Sequence, residues 1–494
     1  MSAILCVDAG TSVIKSVVFS ADGRELTVSR RPTRVSRPES GRVEQDMADV
    51  LGAVLTTMRE AVAASSEPVT SIAITAQGDG FWPVGADERP AGDAILWNDG
   101  RADGVLAAWE ADGTLERVFR INGSLGNKGL PNAIMRHQLD RGPGLDGVDC
   151  VLTCGSWIFL ALTGVRGLHF SEASAPWLDV HTGGGSGMLL ELYGLQDYAT
   201  LVPRVLEGDE LVQPLRRDIA LSAGLEPNTP VVLAPYDVVA TALGSGAVDV
   251  ADAFCILGTT LCAGVIEAHA DTTGEPGGLT LLTGHGPSVV RAFPTLAGTG
   301  VVDWTAQLLG LPDAAALTEL ASQSPPGANG VIIWPYLSGV GERAPFLDRS
   351  ARGTIGGLHF AHSRADIARA CLEGLAYVIK ECASAASTSS TALAMSGGGS
   401  GNSFWCQIVA DVTEVPALRP ADSQVGAKGA MIAAAVSRGL YADADEAARH
   451  LVRHTRVFEP DASVAPLYAD RFETFTRTRT SMSLYAKDPE QPPR

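Results

Sequence analysis

No C-x-x-C pair occurs among the eight cysteines, Cys6, Cys150, Cys154, Cys255, Cys262, Cys371, Cys382 and Cys406, which argues against a dithiol redox motif or a zinc framework. Scattered through 494 residues, they read as reduced core residues of a cytoplasmic protein. Long apolar spans are also missing. The stretch Cys150–Val165 is 16 residues and is broken by Thr153, Gly155, Ser156 and Thr163, short of the ~20 a bilayer requires, so no membrane segment is expected. The opening MSAILCVDAG has no basic n-region, and Asp8 interrupts its apolar run, so no leader peptide is expected. Charge is sparse, at 19%, and largely of one sign, with a net −19. That balance argues against nucleic acid or an anionic membrane as partner, since both select basic surfaces. The nucleotide-binding motif G-x-x-x-x-G-K-[ST] is absent as well.

What the chain does have is apolar material, 46% of it, enough for two large cores. Short apolar runs at Ile4–Val7, Ile72–Thr75, Val231–Ala234 and Phe254–Leu257 end in Gly, Asp or Pro, with helix-like segments between them. That alternation predicts an α/β fold. Asp22-Gly23 predicts a hairpin after the first strands. The segment CVDAGTS from Cys6 returns in form as CILGTT from Cys255, apolar strand, glycine-hydroxyl turn and apolar strand, which points to an internal duplication. Registering Gly10 on Gly258 sets Asp8 against Ile256 and Lys15 against Ala263, leaving the charges in the first copy alone. The boundary is placed at 241–253, giving domains 1–245 and 246–485 and a proline-bearing tail over 486–494.

Five places carry candidate chemistry. Asp8, Gly10, Thr11, Ser12 and Lys15 sit where a buried strand turns; the amides and hydroxyls there can hold phosphate and the aspartate magnesium, or the segment is a plain capped hairpin. Gly258-Thr259-Thr260 repeats the turn. Gly398, Gly399 and Asn402 lie in a glycine loop between an apolar strand and a helix, a surface for a nucleotide, or a linker. Asp237 follows the strand Val231–Ala234 and opens a helix, as a general base or as a cap; the helix N-terminus is expected to favour its ionised form. Gln77, Gly78 and Asp79 end another strand, with Trp97 and Asn98 in LWNDGR. Carboxylates and amides for vicinal hydroxyls, with an aromatic face beside them, suit a polyol, although each residue alone has a structural use.

In order and spacing these motifs resemble the FGGY family of carbohydrate kinases from Asp8 to about Ala447. The most specific match is GTIGGLHFAHSRADIARACLEG, with Gly353, Ile355, Gly357, Leu358, Asp366, Ile367, Ala370, Leu372 and Glu373 in place and Cys371 as a departure; Glu342, Arg343, Pro345 and Asp348 precede it. The resemblance implies two ribonuclease-H-like (actin-like ATPase) domains around a central cleft and ATP-dependent phosphorylation of a sugar hydroxyl. It implies Asp8 at the magnesium site, with Gly10, Thr11, Ser12 and Lys15 beside it. Gly258, Thr259 and Thr260 become the second phosphate turn, with Gly398, Gly399 and Asn402 at the adenosine end. Asp237 becomes the base, and Gln77, Gly78, Asp79, Trp97 and Asn98 the acceptor site. Xylulokinases of the family show Met-His-Gly and Asp-Asn where this chain has Gly78-Asp79-Gly80 and Asp237-Val238, and glycerol kinases an arginine that it lacks. Gln-Gly-Asp-Gly and Asp-Val-Val-x-Thr-Ala-Leu-Gly look more like the erythritol and L-xylulose kinase branch, so a four- or five-carbon polyol or ketose is expected. Such kinases are commonly homodimers. The rival reading is an actin-like or chaperone-like ATPase without an acceptor, for which Asp79, Trp97 and Asp237 have no use; a silent sugar sensor is a third.

Overall fold

The computed structural model describes residues 3–284 and 286–482; the tail expected over 486–494 lies outside them. By contact the chain forms two compact units. Of the described residues, the first holds those within 1–248, 268–290 and 422–453, and the second those within 249–267, 291–421 and 454–494. The segments 268–290 and 422–453, which a cut near residue 246 assigns to the second domain, thus pack with the first.

The first unit is built on a mixed sheet of β1 (Ala3–Ala9), β2 (Val13–Phe19), β3 (Glu25–Pro32), β4 (Val69–Ala76), β5 (Val212–Pro214) and β6 (Pro230–Leu233), ordered β3-β2-β1-β4-β6-β5. β1, β4 and β6 run parallel, while β2 and β5 are antiparallel to their neighbours. Both faces are covered, which explains why these strands read as continuous apolar runs. Ala3, Leu5, Val7 and Ala9 point into one core, and Ile4 and Cys6 into another formed with Ala427, Ala430, Met431 and Ile432 of the helix Val425–Ser437, the period-2 alternation of a strand. Asp22-Gly23 makes the expected hairpin, with Gly23 N–H donating to Ser20 O at 2.9 Å and φ at +82°.

The helix Asp237–Ser245 lies close against Val425–Ser437. A Cβ on Gly244 would overlap the carbonyl of Val425, and one on Gly429 that of Ala240. Glycine at both crossings lets the backbones touch and fixes the helix that starts with Asp237.

The second unit repeats the plan with β7 (Asp252–Leu257), β8 (Leu261–Glu267), β9 (Val289–Pro294, of which residues 291–294 fall in this unit), β10 (Ala392–Ser396), β11 (Ala417–Pro420) and β12 (His454–Phe458). These six run β9-β8-β7-β10-β11-β12. The senses that pair β7 with β8 and β10, β10 with β11, and β11 with β12 match the first sheet position by position, but the chain order differs at one edge, where antiparallel β5 precedes its neighbour β6 and β12 follows β11. The duplication therefore shows in strand positions and senses, and not in the chain order of the last two strands. The second hairpin turn is one residue shorter, because Leu257 pairs with Leu261 where Ala9 pairs with Ile14. Cys262, not the expected Ala263, consequently occupies the place of Lys15.

The signature segment is structural. Asp366 caps its own helix, Arg364–Ser384, accepting from Ser363 N–H at 2.7 Å and from Ser324 and Asn329 at 2.6 and 2.8 Å. Burial opposes ionisation, but those donors prevail and hold its pKa at about 2. Glu373 is buried and accepts from Arg369, Tyr468 and Gly327 N–H. All eight cysteines are buried and none is in a disulfide. Among the described residues no helix is long and apolar enough to cross a membrane.

Candidate active site

In the first unit the ends of β1, β4 and β6 bring the predicted residues to one edge of the sheet. Asp8 lies opposite Lys15 in the β1–β2 ladder, with Lys15 Nζ at 3.7 Å. Burial raises the pKa of Asp8 and Lys15 opposes the rise. A Cβ placed on Gly426, at the start of the helix Val425–Ser437, would sit 3.6 Å from Asp8 Oδ2, so the aspartate is also walled by backbone from a segment that the sequence reading passed over. Gly10 N–H donates to Val13 O at 3.2 Å, and Ser12 is exposed at the turn's tip. Thr11 is engaged elsewhere, its hydroxyl donating to Gln77 Oε1 at 2.7 Å and accepting from Trp97 Nε1 at 2.9 Å.

Gln77 continues β4 and is buried, its N–H donating to Ala9 O at 2.9 Å. Asp79 has a left-handed backbone, φ +55°, a conformation Asp tolerates better than most residues. Gly78 has no room for a side chain, since a Cβ there would fall within the ring of Tyr236. Asn98 Oδ1 is shut off from solvent and has no hydrogen-bond partner among the described residues. Beside it Asp99, fully buried, accepts from Val43 N–H at 2.6 Å and from Arg101, which also reaches Glu44 Oε1 at 2.6 Å.

Asp237 is the first residue of its helix. Its pKa is raised to about 8, chiefly by burial, then by the negative charges of Asp8 and Asp79, against the lowering donors Val238 N–H and Gly78 N–H. This corrects the expectation that the helix start keeps Asp237 ionised. Val238 N–H at that end does act in the expected sense, joined by Gly78 N–H from the loop after β4, but desolvation and two like charges outweigh them. The approach to Asp237 is pinned by Thr75, whose hydroxyl donates to Pro235 O at 2.7 Å, and by Ser171, whose hydroxyl accepts from Tyr236 N–H at 3.1 Å. Ser171 sits two residues along from His169 in a buried network with Glu172, Thr153 and Ser156. None of these carried a sequence signal, because hydroxyls inside helices are common and only the fold aims them.

In the second unit the turn Gly258–Thr260 is backed by a stretch the sequence reading missed. Gly298 leads into the helix Thr299–Leu308, and a Cβ on it would collide with Thr259 O and Thr260 Cα. Thr299 N–H donates to Gly258 O at 2.8 Å. The signal was present in the sequence as Gly298-Thr299-Gly300. Gly397 and Gly399 press on Leu257, the residue before the turn, while Gly398 faces open space. The two glycine segments thus meet at the end of β7. Asn402 caps the helix Ser403–Thr413, its Oδ1 accepting from Trp405 N–H at 3.1 Å, and its Nδ2 donates to Thr318 Oγ1 at 2.7 Å.

The model of the FGGY family of carbohydrate kinases, N-terminal domain, matches residues 3–244, and that of the family's C-terminal domain matches residues 253–438. The chain is 29% identical to the erythritol kinase of Brucella abortus (strain 2308), over 97% of this chain and 96% of that protein. It is 26% identical to the L-xylulose/3-keto-L-gulonate kinase of Escherichia coli (strain K12), over 95% of each. Of solved structures, the xyloylose kinase from Brucella ovis superposes with a TM-score of 0.89 at 25% identity, covering 98% of this chain and all of that one. The gluconate kinase from Lactobacillus acidophilus, at 20% identity and a TM-score of 0.90 over 98% of both chains, shares the fold. With both family models matched in order, and together spanning most of its length, the chain belongs to the FGGY family of carbohydrate kinases, enzymes that phosphorylate sugar or polyol hydroxyls with ATP.

Proposed function

We propose that the protein transfers the γ-phosphoryl group of ATP to a hydroxyl of a four- or five-carbon polyol or ketose, of the erythritol, L-xylulose or D-xylulose type. The observation that carries this reading is a carboxylate, Asp237, held beside Asp79 and Asp8 with its pKa at about 8. An alcohol that attacks phosphorus must pass its proton to a nearby base, as water must in a pure ATPase, and it is the acceptor set of Asp79, Trp97 and Asn98 around that base that favours an alcohol. Asn98 Oδ1, buried without a partner among the described residues, offers an acceptor for an acceptor-sugar hydroxyl. Asp79, Gln77 and Trp97 complete the proposed pocket, and the erythritol and L-xylulose for which two relatives are named support the four- or five-carbon class.

Magnesium fits the acidic end of this site. Asp8 is a half-buried carboxylate whose charge is only partly offset by Lys15, and among the described residues no cluster of three or more ligating side chains forms a cage. One carboxylate suits a cation that arrives with phosphates and keeps its own waters. When bound, the ion neutralises charge on the transferring phosphate. The amides around Gly10 and Ser12, with Lys15, are proposed to hold phosphate oxygens from the first unit. The turns at Gly258–Thr260 and Gly398–Gly399 are proposed as the nucleotide-holding part of the second, with Asn402 shaping the loop as a cap.

An ADP-release screen across tetritols, pentitols, ketopentoses, glycerol and gluconate tests the proposal. Turnover is expected with a tetritol or a ketopentose. A flat response over steady ATP hydrolysis would favour the acceptor-free ATPase. Asp237→Asn is expected to lower transfer at least ~1,000-fold with ATP affinity nearly unchanged; substantial residual turnover removes Asp237 from the base role.

A further inference from the structure

The two functions assigned to the first unit, phosphate turn and acceptor loop, are joined by a closed ring of hydrogen bonds. Thr11 Oγ1 donates to Gln77 Oε1 at 2.7 Å, Gln77 Nε2 donates to Gln45 Oε1 at 2.9 Å, and Gln45 Nε2 returns to Thr11 O at 3.0 Å. Trp97 Nε1 enters the ring at Thr11 Oγ1, and Thr33 Oγ1 donates to Thr11 O. Gln45 and Gln77 are buried, at 1% and 3% exposure, so neither amide can exchange its partner for water without cost. Gln45 reaches this position from the two-residue strand Glu44–Gln45, which pairs with Ala94–Ile95 just ahead of Trp97.

Resting on the kinase reading above, we propose that Gln45, Thr11 and Gln77 form a positioning ring that ties the geometry of the phosphate turn to that of the acceptor pocket. Thr11 is then a positioning residue and not a phosphate ligand. Its hydroxyl has one proton, spent on Gln77, and its acceptor side faces the Trp97 indole, so nothing is left to donate to a phosphate. Gln77 leads directly into Gly78 and Asp79. A bound acceptor that orders the Gln77–Asp79 loop and Trp97 therefore orders the carbonyl and hydroxyl of residue 11, and with them the turn between β1 and β2. Without an acceptor the turn is held less well, which favours transfer to a sugar over loss of phosphate to water.

The test compares Thr11→Val, Thr11→Ser, Gln45→Leu and wild type for acceptor kcat and KM, acceptor-free ATP hydrolysis, and ATP dissociation constant. Thr11→Val and Gln45→Leu are expected to lower kcat for the acceptor roughly 10- to 100-fold, to raise the ratio of hydrolysis to transfer, and to leave the ATP dissociation constant within about threefold. Thr11→Ser, which keeps the hydroxyl, is expected to restore the wild-type ratio. A loss of ATP affinity beyond about tenfold in Thr11→Val makes Thr11 a phosphate ligand and overturns the ring. An unchanged hydrolysis-to-transfer ratio in folded Thr11→Val and Gln45→Leu overturns it too. Failure of the kinase reading shows separately, as wild-type protein that turns over no acceptor. In that event the ATP dissociation constant still decides, since the ring requires that it survive Thr11→Val.

Discussion

Asp237 is worth following through its titration, because its raised pKa has two opposite consequences. As a base it must be ionised, so kcat/KM should rise with pH along a limb governed by the free protein's value near 8. For stability the sign reverses. The folded-state pKa lies above the ~3.9 of an unfolded aspartate, so the folded state binds this proton more tightly. Its contribution is fully present below the unfolded value and is lost as pH rises, until the folded value near 8 is passed. Asp237→Asn removes the ionisation. Melting temperatures of the variant and wild type should converge near pH 4, separate in the variant's favour up to about pH 8, and run parallel above it. A gap that ignores pH would place the strain elsewhere. At this scale the sequence was informative about identity and less so about state. Asp237 stands after an apolar strand and can be picked out, but its desolvation comes from the fold, and its like-charged neighbours Asp8 and Asp79 are 229 and 158 positions away. Thr11 shows the same limit: a hydroxyl in a glycine turn reads as a phosphate donor until Gln77 and Trp97 are seen to occupy it.

Elements explain why the glycine turns of the second unit keep their shape. Glu342 is buried at 1% exposure, and its carboxylate accepts from the backbone N–H groups of Leu296 and Arg343 at 2.8 and 2.9 Å and of Ala297 at 3.3 Å. Leu296 and Ala297 run straight into Gly298, which presses on Thr259 and Thr260. Burial raises the pKa of Glu342 against those donors. Glu342→Ala would strand up to three N–H groups, one buried and two partly buried, a loss of about 3 kcal/mol. It should lower the melting temperature and, at temperatures where the variant remains folded, weaken ATP binding; ATP affinity equal to wild type would show that the turn does not depend on this support. The strands, the hairpin at Asp22-Gly23 and the loop-to-helix step at Gly397–Ser403 were legible, because apolar period and turn chemistry are local properties. Glu342 was visible only as part of a resemblance. A carboxylate that serves backbone donors 45 and 46 residues earlier leaves no mark in its own neighbourhood.

At the scale of the whole molecule, the matched strand positions and senses, alike except for the chain order of the last two strands, make the duplication that Cys6–Ser12 and Cys255–Thr260 hint at, while the return of the chain into the first unit has no local signature. The helix Val425–Ser437 reads as an ordinary apolar helix, yet it covers the face of the first sheet formed by Ile4, Cys6, Val17, Phe19, Ala73 and Val232. Its seat is reinforced by Lys428, buried at 1% exposure, which pairs with Asp422 at 3.2 Å and donates to Gly23 O, and by Glu25, which accepts from Ser423 N–H at 3.0 Å. A fragment ending at residue 245 would leave that face open. Exposing Ile4, Val17, Phe19 and Val232 alone forfeits on the order of 6 to 12 kcal/mol, the size of a domain's entire net stability. The fragment 1–245, although a family model matches residues 3–244, is therefore expected to be aggregation-prone, to bind a hydrophobic dye, and to lack a cooperative urea transition. The full-length protein should unfold cooperatively under the same conditions. Cooperative unfolding of the fragment with a native-like m-value would mean that the sheet is stable without the helix, and that residues 422–453 decorate the first unit instead of completing it.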